Sequence, residues 1–262
     1  MAPMRTSFEE RREALRERLG SYDRLVVAFS GGVDSTVLLH AAHAALGDRV
    51  VAVIADSPSL PRSELADARA SARAIGVELV VLATDELAVE GYRRNEGLRC
   101  YWCRHTLFER MEAWARGVAR TVLAYGEITD DLADDRPGRV AAGEFGVVAP
   151  LREVGFSKAD VRAYARLFGL AAAEKPAAAC LASRIPVGTP VTAAALARVE
   201  RAEENLRELG FRVLRVRNHG RRARVELGSD EIDRAHEQIA ALRAALARCD
   251  FEEIELAVYG AR

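Results

Sequence analysis

One short junction constrains this chain more than anything else in it. Leu25-Val-Val-Ala-Phe29 is an unbroken apolar run, Ser30-Gly31-Gly32-Val33-Asp34-Ser35 follows directly, and Thr36-Val-Leu-Leu-His40 resumes an apolar pattern. A run of that length closed by glycines predicts a strand buried on both faces, and such strands belong to parallel sheets covered by helices. Adjacent glycines let the backbone approach an anion closely. The helix that follows aims its free N–H groups and positive dipole end at the same point. The expectation is strand, anion loop, helix, with phosphate held by backbone N–H groups and the hydroxyls of Ser30 and Ser35. No Gly-Lys-Ser/Thr is present, so the loop is not of the Walker type, and Asp34 is better suited to holding Mg2+ than to touching phosphate.

The surrounding pattern supports a sheet of this kind. Strands are predicted at Val50–Ala55, Glu78–Ala83 and Thr121–Tyr125, with helices over Pro61–Ile75 and Thr106–Arg116 between them. Asp56 and Ser57 follow the second strand, and Gly126-Glu-Ile-Thr-Asp130-Asp131 follows the fourth; both lie at carboxyl ends, where open sheets bind ligands. Ser157-Lys-Ala-Asp160 reads as a capping box opening a helix to about Phe168. A loop over Glu174–Pro190 carries Cys180 and Arg184. Beyond it come helix Thr192–Leu209, strand Phe211–Arg217, a turn at Asn218–Gly220, strand Arg222–Leu227, helix Ser229–Ala247 and strand Phe251–Val258. The predicted class is α/β: an open parallel-sheet nucleotide-binding domain over 1–190 and a small α+β domain over 191–262.

Charge and cysteine usage narrow the function. A net charge of −1 gives no global field toward nucleic acid or anionic lipid. No apolar run approaches the ~20 residues of a membrane span. The N-terminal stretch reads as an amphipathic helix without an apolar signal core, so a cytoplasmic protein is expected. Arg212, Arg215, Arg217, Arg221, Arg222 and Arg224 crowd one predicted hairpin, which invites an RNA-phosphate reading. Strand alternation and the neutral chain favour a solvated face or a subunit contact instead.

Four cysteines in such a compartment argue against structural disulfides. Cys249 reads as a buried thiol. Cys100-Tyr-Trp-Cys103 follows the third strand on the ligand edge, and Cys180 is distant in sequence. Spacing alone leaves open a zinc site completed by His105 or Cys249, a redox dithiol, two core cysteines, or a three-thiolate [4Fe-4S] cluster with one open iron.

The loop Ser30–Ser35 resembles the pyrophosphate (PP) loop of the ATP pyrophosphatases. That resemblance implies cleavage of ATP between its α and β phosphates, adenylation of a substrate oxygen and displacement of AMP by a nucleophile. ATP is then expected at Ser30, Gly31, Gly32, Asp34, Ser35, Asp56, Ser57 and Gly126. Further matches run nearly end to end: Asp56-Ser-Pro-x-Leu-Pro-x-x-Glu-Leu65, Arg99-Cys-Tyr-x-Cys103, Asp135-Arg-Pro-Gly138 and Lys175-Pro-Ala-Ala-Ala-Cys180-Leu-Ala-Ser183-Arg184. They resemble the ATP-dependent sulfur transferases of nickel-pincer cofactor synthesis, whose substrate is pyridinium-3,5-biscarboxylic acid mononucleotide. The family implies that each carboxylate is adenylated and becomes a thiocarboxylate. Members with all three cysteines resemble cluster enzymes, which implies a [4Fe-4S] centre on Cys100, Cys103 and Cys180 fed by sulfide or another sulfur donor. Members with one cysteine give up the sulfur at the position of Cys180, and tRNA thiolation is the other enzymatic alternative. Arg184 with Ser183, and Arg99 more weakly, are expected to meet the substrate's phosphate and carboxylates, and Tyr101 or Trp102 to stack on its pyridinium. The pattern departs from the family at Glu127–Thr129. The resemblance also implies a homo-oligomer built through the small domain.

Overall fold

The computed structural model describes residues 6–133, 137–176 and 179–260. In chain order its elements are α1 (Phe8–Gly20), β1 (Arg24–Ala28), α2 (Val33–Leu46), β2 (Val50–Asp56), α3 (Arg62–Ile75), β3 (Leu79–Ala83), α4 (Glu90–Arg94), α5 (Arg99–Ala115), β4 (Thr121–Tyr125), α6 (Pro137–Glu144), α7 (Pro150–Glu153), α8 (Lys158–Leu167), α9 (Ala193–Glu208), β5 (Leu214–His219), β6 (Arg222–Leu227), α10 (Ile232–Glu237), α11 (Ile239–Ala247) and β7 (Glu253–Val258). Two compact units result. The first takes Met1–Ser57, Arg62–Glu86 and Cys100–Ala178; the second takes Pro58–Pro61, Leu87–Arg99 and Ala179–Arg262.

The first unit is an all-parallel sheet in the order β3-β2-β1-β4. β1 lies inside the sheet because Leu25, Val26 and Val27 are apolar on both faces and fully buried. The chain steps outward from β1 to β2 and β3, then returns to the other side of β1 for β4. The β1/β4 boundary is therefore the switch point of the sheet, where open α/β folds leave a crevice at the carboxyl ends. Val26, Val53, Phe108, Met111, Leu123 and Ala149 form a core on one face. On the other, α1 and α8 pack against α2, with Leu15, Leu19, Val161 and Tyr164 buried.

The second unit contains a mixed sheet, β5-β6-β7, with β5 antiparallel and β7 parallel to β6. Leu206, Phe211, Val216, Val225, Leu242, Leu246 and Phe251 are its buried centre. The α/β class and the small α+β sheet match the sequence expectation. Element boundaries differ in places: the strand expected over Phe211–Arg217 runs Leu214–His219, taking in part of the expected turn, and two helices depart further. The helix expected from Thr106 begins at Arg99, so Cys100 and Cys103 lie on a helix and not in a loop. The single helix expected over Ser229–Ala247 is two, broken at Gln238, whose backbone leaves helical geometry. Among the described residues no helix is long and apolar enough to cross a membrane.

Candidate functional site

The Ser30–Ser35 loop leaves β1 and enters α2 through Gly32, an N-cap without a side-chain hydrogen bond. The free donors of the first turn are thus available to an external acceptor. Two hydroxyls brace the loop. Ser35 Oγ accepts from the Ser30 N–H at 3.2 Å, lies 3.1 Å from Ser30 Oγ and donates to the Gly32 carbonyl at 3.1 Å. Ser30 Oγ accepts from the Gly32 N–H at 3.3 Å. Gly31 has a φ of 71°, and a Cβ there would stand 3.2 Å from that of Ala68 on α3. Gly126 is constrained still more: a Cβ would fall 2.8 Å from the Ser35 backbone nitrogen. Its absence of a side chain lets the end of β4 touch the start of α2 at the switch point.

Asp34, on the first turn of α2, has both carboxylate oxygens 2.8 Å from Lys158 Nζ. The Lys158 backbone N–H in turn donates to Asp130 Oδ2 at 2.7 Å, and Asp131 Oδ2 accepts from the Ile128 N–H at 3.2 Å. Glu127, where the sequence departs from the family, is buried and ion-paired with Arg152 at 2.5 Å. Asp56 pairs with Arg62 at 2.6 Å, while Ser57 is buried.

Cys100 and Cys103 stand one turn apart on α5, the first exposed and the second half-buried. Cys103 Sγ lies 3.8 Å from Oε1 of Glu86, a buried acid that sequence reasoning did not single out. Burial pushes the Glu86 carboxyl above its usual range, against hydrogen bonds from its own backbone and from Ser57, Cys103 and Thr84. Tyr101 donates to Glu144 at 3.0 Å and packs edge-on against Trp102 at 4.9 Å between centroids.

In the second unit Cys180 is exposed and immediately precedes a single 3-10 turn, Leu181–Arg184. Arg184 is buried, and its guanidinium is fully engaged. Nε and Nη2 donate to Glu203 at 2.8 and 3.2 Å, and Nη1 donates to the carbonyls of Ala179 and Cys180 and to Ser183 Oγ. Arg99 donates to Asn95 Oδ1 at 2.5 Å. Asn95, buried and in left-handed geometry, donates to the carbonyls of Pro186 and Thr189, which pins the stretch after the turn to α4. Four of the hairpin arginines face acids on the same sheet or beside it, and a fifth faces a ring. Arg217 pairs with Glu226, Arg221 with Glu252, and Arg222 and Arg224 with Glu255, while Arg215 lies over the Tyr259 ring.

As donors, thiols suit an iron or zinc centre, and Cys100 and Cys103 share one helical turn. Among the described residues, no three His, Cys, Asp or Glu side chains are gathered closely enough to hold a metal ion. Of the stretches matched by sequence, Asp135 and Arg136 of one and Ala177 and Ala178 of another lie outside the described residues.

Fold and loop define the class: an open-sheet α/β protein with a glycine-rich anion loop at the sheet's switch point, the arrangement that resembles the PP-loop proteins. The chain is 42% identical over 225 residues to an uncharacterized protein of Synechocystis sp., covering 86% of this chain and 84% of that one. It is 35% identical over 232 residues, with the same shares, to the pyridinium-3,5-bisthiocarboxylic acid mononucleotide synthase of Lactiplantibacillus plantarum. It belongs to the family of that synthase. A shorter likeness, 35% over 74 residues and 28% of this chain, joins it to the GMP synthase of Chlamydia muridarum, of which it covers 14%. No protein-family model matches.

Proposed function

We propose that this protein is an ATP-dependent sulfur transferase of nickel-pincer cofactor synthesis. It would convert the carboxylates of pyridinium-3,5-biscarboxylic acid mononucleotide to thiocarboxylates. The observation that carries this is the likeness to the L. plantarum synthase across most of both chains. The uncapped loop ahead of α2 adds chemical support, since it offers donors to a polyphosphate without needing a Walker lysine. In the first half-reaction a substrate carboxylate oxygen attacks the α-phosphorus of ATP and pyrophosphate leaves. Ser30, Gly31, Gly32 and Ser35 hold the phosphates, Asp34 holds Mg2+, and Asp56, Ser57 and Gly126 line the same edge. In the second half-reaction a sulfur nucleophile attacks the acyl carbon and AMP departs.

Cys100, Cys103 and Cys180 would hold a [4Fe-4S] cluster, which when bound supplies an open iron able to carry sulfide. Ser183 and Arg99 would meet the mononucleotide, with Arg184 fixing the Cys180 backbone to which it already donates. The alternative sulfur source is the Cys180 side chain itself, favoured by its exposure. Anaerobic iron and sulfide analysis of the wild type beside Cys100→Ala, Cys103→Ala and Cys180→Ala decides between them. The cluster reading expects about four irons and four sulfides per chain, lost in each variant. Absence of iron after reconstitution, with Cys180 losing its sulfur on turnover, would establish the sacrificial route.

A further inference from the structure

Arg104 Nη1 is buried and has no hydrogen-bond partner among the described residues. A buried cationic donor without a partner is costly and rare in folded proteins, and an incoming anion would match it. We propose that Arg104 binds the substrate carboxylate that is not being adenylated, and so selects a pyridinium dicarboxylate over a monocarboxylate. The proposal rests on the sulfur-transferase reading above and adds a specificity residue to it.

Three observations converge. First, the charges around Arg104 do not neutralise it. Its guanidinium lies over the Tyr125 ring, 5.2 Å from the centroid. Burial and the Glu127 carboxylate hold the Tyr125 phenol far above its usual range, so it brings no negative charge. Glu127 itself, buried, is already ion-paired with Arg152 at 2.5 Å, and Arg139 Nε stands 3.9 Å from its other oxygen.

Second, Arg104 is placed for an anion other than the ATP phosphates. Tyr125 ends β4 and packs against Phe108 of α5, 5.9 Å between centroids, on the face of the sheet opposite α2. The phosphate loop opens into α2. Gly126, the next residue, touches the first turn of α2, so the two positions adjoin at the carboxyl end of one strand. A ring with carboxylates at positions 3 and 5 can present one to ATP and rest the other on Arg104.

Third, the local packing suits a planar fork beside the thiols. Arg104 follows Cys100 by four residues, which puts both on one face of α5. A ring anchored at Arg104 therefore lies near the sulfur chemistry. Gly138, at the start of α6, leaves the room: a Cβ there would fall 2.5 Å from Arg104 Cδ and 2.9 Å from its Nε. A guanidinium set in such a groove matches a carboxylate in two-point geometry.

The test follows exchange of labelled pyrophosphate into ATP, which reports adenylation without sulfur transfer. Wild type, Arg104→Ala and Arg104→Lys are each given the 3,5-biscarboxylic acid mononucleotide, its 3-monocarboxylic counterpart, and the biscarboxylic riboside lacking the phosphate. We expect Arg104→Ala to raise KM at least about tenfold for both biscarboxylates, as loss of a hydrogen bond to a charged group does. Its kcat, and its KM for the monocarboxylate, should stay unchanged, and Arg104→Lys should fall between. An equal rise for the mono- and biscarboxylic mononucleotides would overturn the proposal by showing a merely structural role. An unchanged KM for the biscarboxylic mononucleotide would overturn it as well. A riboside indifferent to the substitution would assign Arg104 to the phosphate and equally contradict it. A wild type that exchanges pyrophosphate with none of the three would sink the sulfur-transferase reading itself, a result distinguishable from failure of Arg104 alone. Should circular dichroism show Arg104→Ala unfolded, Arg104→Gln answers the same question.

Discussion

Arg184 and Glu203 form a two-point ion pair in the interior of the second unit, Nε to Oε1 at 2.8 Å and Nη2 to Oε2 at 3.2 Å. Glu203 Oε1 also accepts the Val216 N–H of β5 at 3.1 Å, so one carboxylate joins α9, β5 and the Cys180 backbone. Removing it leaves a buried guanidinium without its counter-charge. Glu203→Ala should destabilise the protein by about 3 kcal/mol and shift its urea midpoint. A change within error of zero would show that the pair is structurally idle.

Gly126→Ala should disable the loop from a distance. The added methyl would lie 2.8 Å from the Ser35 nitrogen, backbone that has no rotamer in which to escape. Overpacking of this kind costs about 1–3 kcal/mol, and α2 must shift away from β4 to relieve it. Both the melting temperature and the affinity for α,β-methylene-ATP should drop. Retention of full affinity would mean that the β4–α2 contact does not set the loop.

Stability should decline in mild acid through His40. Burial, with a smaller push from His43, holds its imidazole below the ordinary 6.5. Between the two values the unfolded chain carries more protons than the folded one. Stability is therefore lost as pH falls from the unfolded value through the folded one. Melting curves from about pH 7.5 to about pH 5.5 should show a slope in the wild type that flattens in His40→Gln. Parallel slopes would assign the acid sensitivity elsewhere.

Thiol reactivity should sort the four cysteines in the metal-free protein. Cys100 and Cys180 are exposed, Cys103 is half-buried, and Cys249 is buried with Asn205 Nδ2 3.3 Å from its sulfur. Burial also raises the Cys249 thiol, leaving less thiolate to react. Titration with a disulfide reagent should label Cys100 and Cys180 first, Cys103 more slowly, and Cys249 only on unfolding. Prompt labelling of all four would contradict this order.

What the sequence discloses is what local pattern governs. The β1–loop–α2 junction is legible because an apolar run, two glycines and a resumed apolar pattern lie within sixteen residues, Leu25–His40. The Ser157–Asp160 capping box is legible for the same reason, its partners being three residues apart. The start of α5 is missed because Arg99-Cys-Tyr-Trp-Cys103 has neither a cap residue nor an apolar rhythm. The break at Gln238 carries no glycine or proline to mark it. Lys158 against Asp34, Glu86 against Cys103 and Glu203 against Arg184 are pairings made by the topology. Nothing in local sequence marked any of the three.

The most direct measurement supplies Mg2+, ATP, sulfide and pyridinium-3,5-biscarboxylic acid mononucleotide to the anaerobically reconstituted protein. AMP and the organic product are then followed by mass spectrometry. The account predicts one AMP and one pyrophosphate for each oxygen replaced by sulfur in the mononucleotide. AMP absent in the presence of the mononucleotide, or formed without any sulfur in the product, would contradict it.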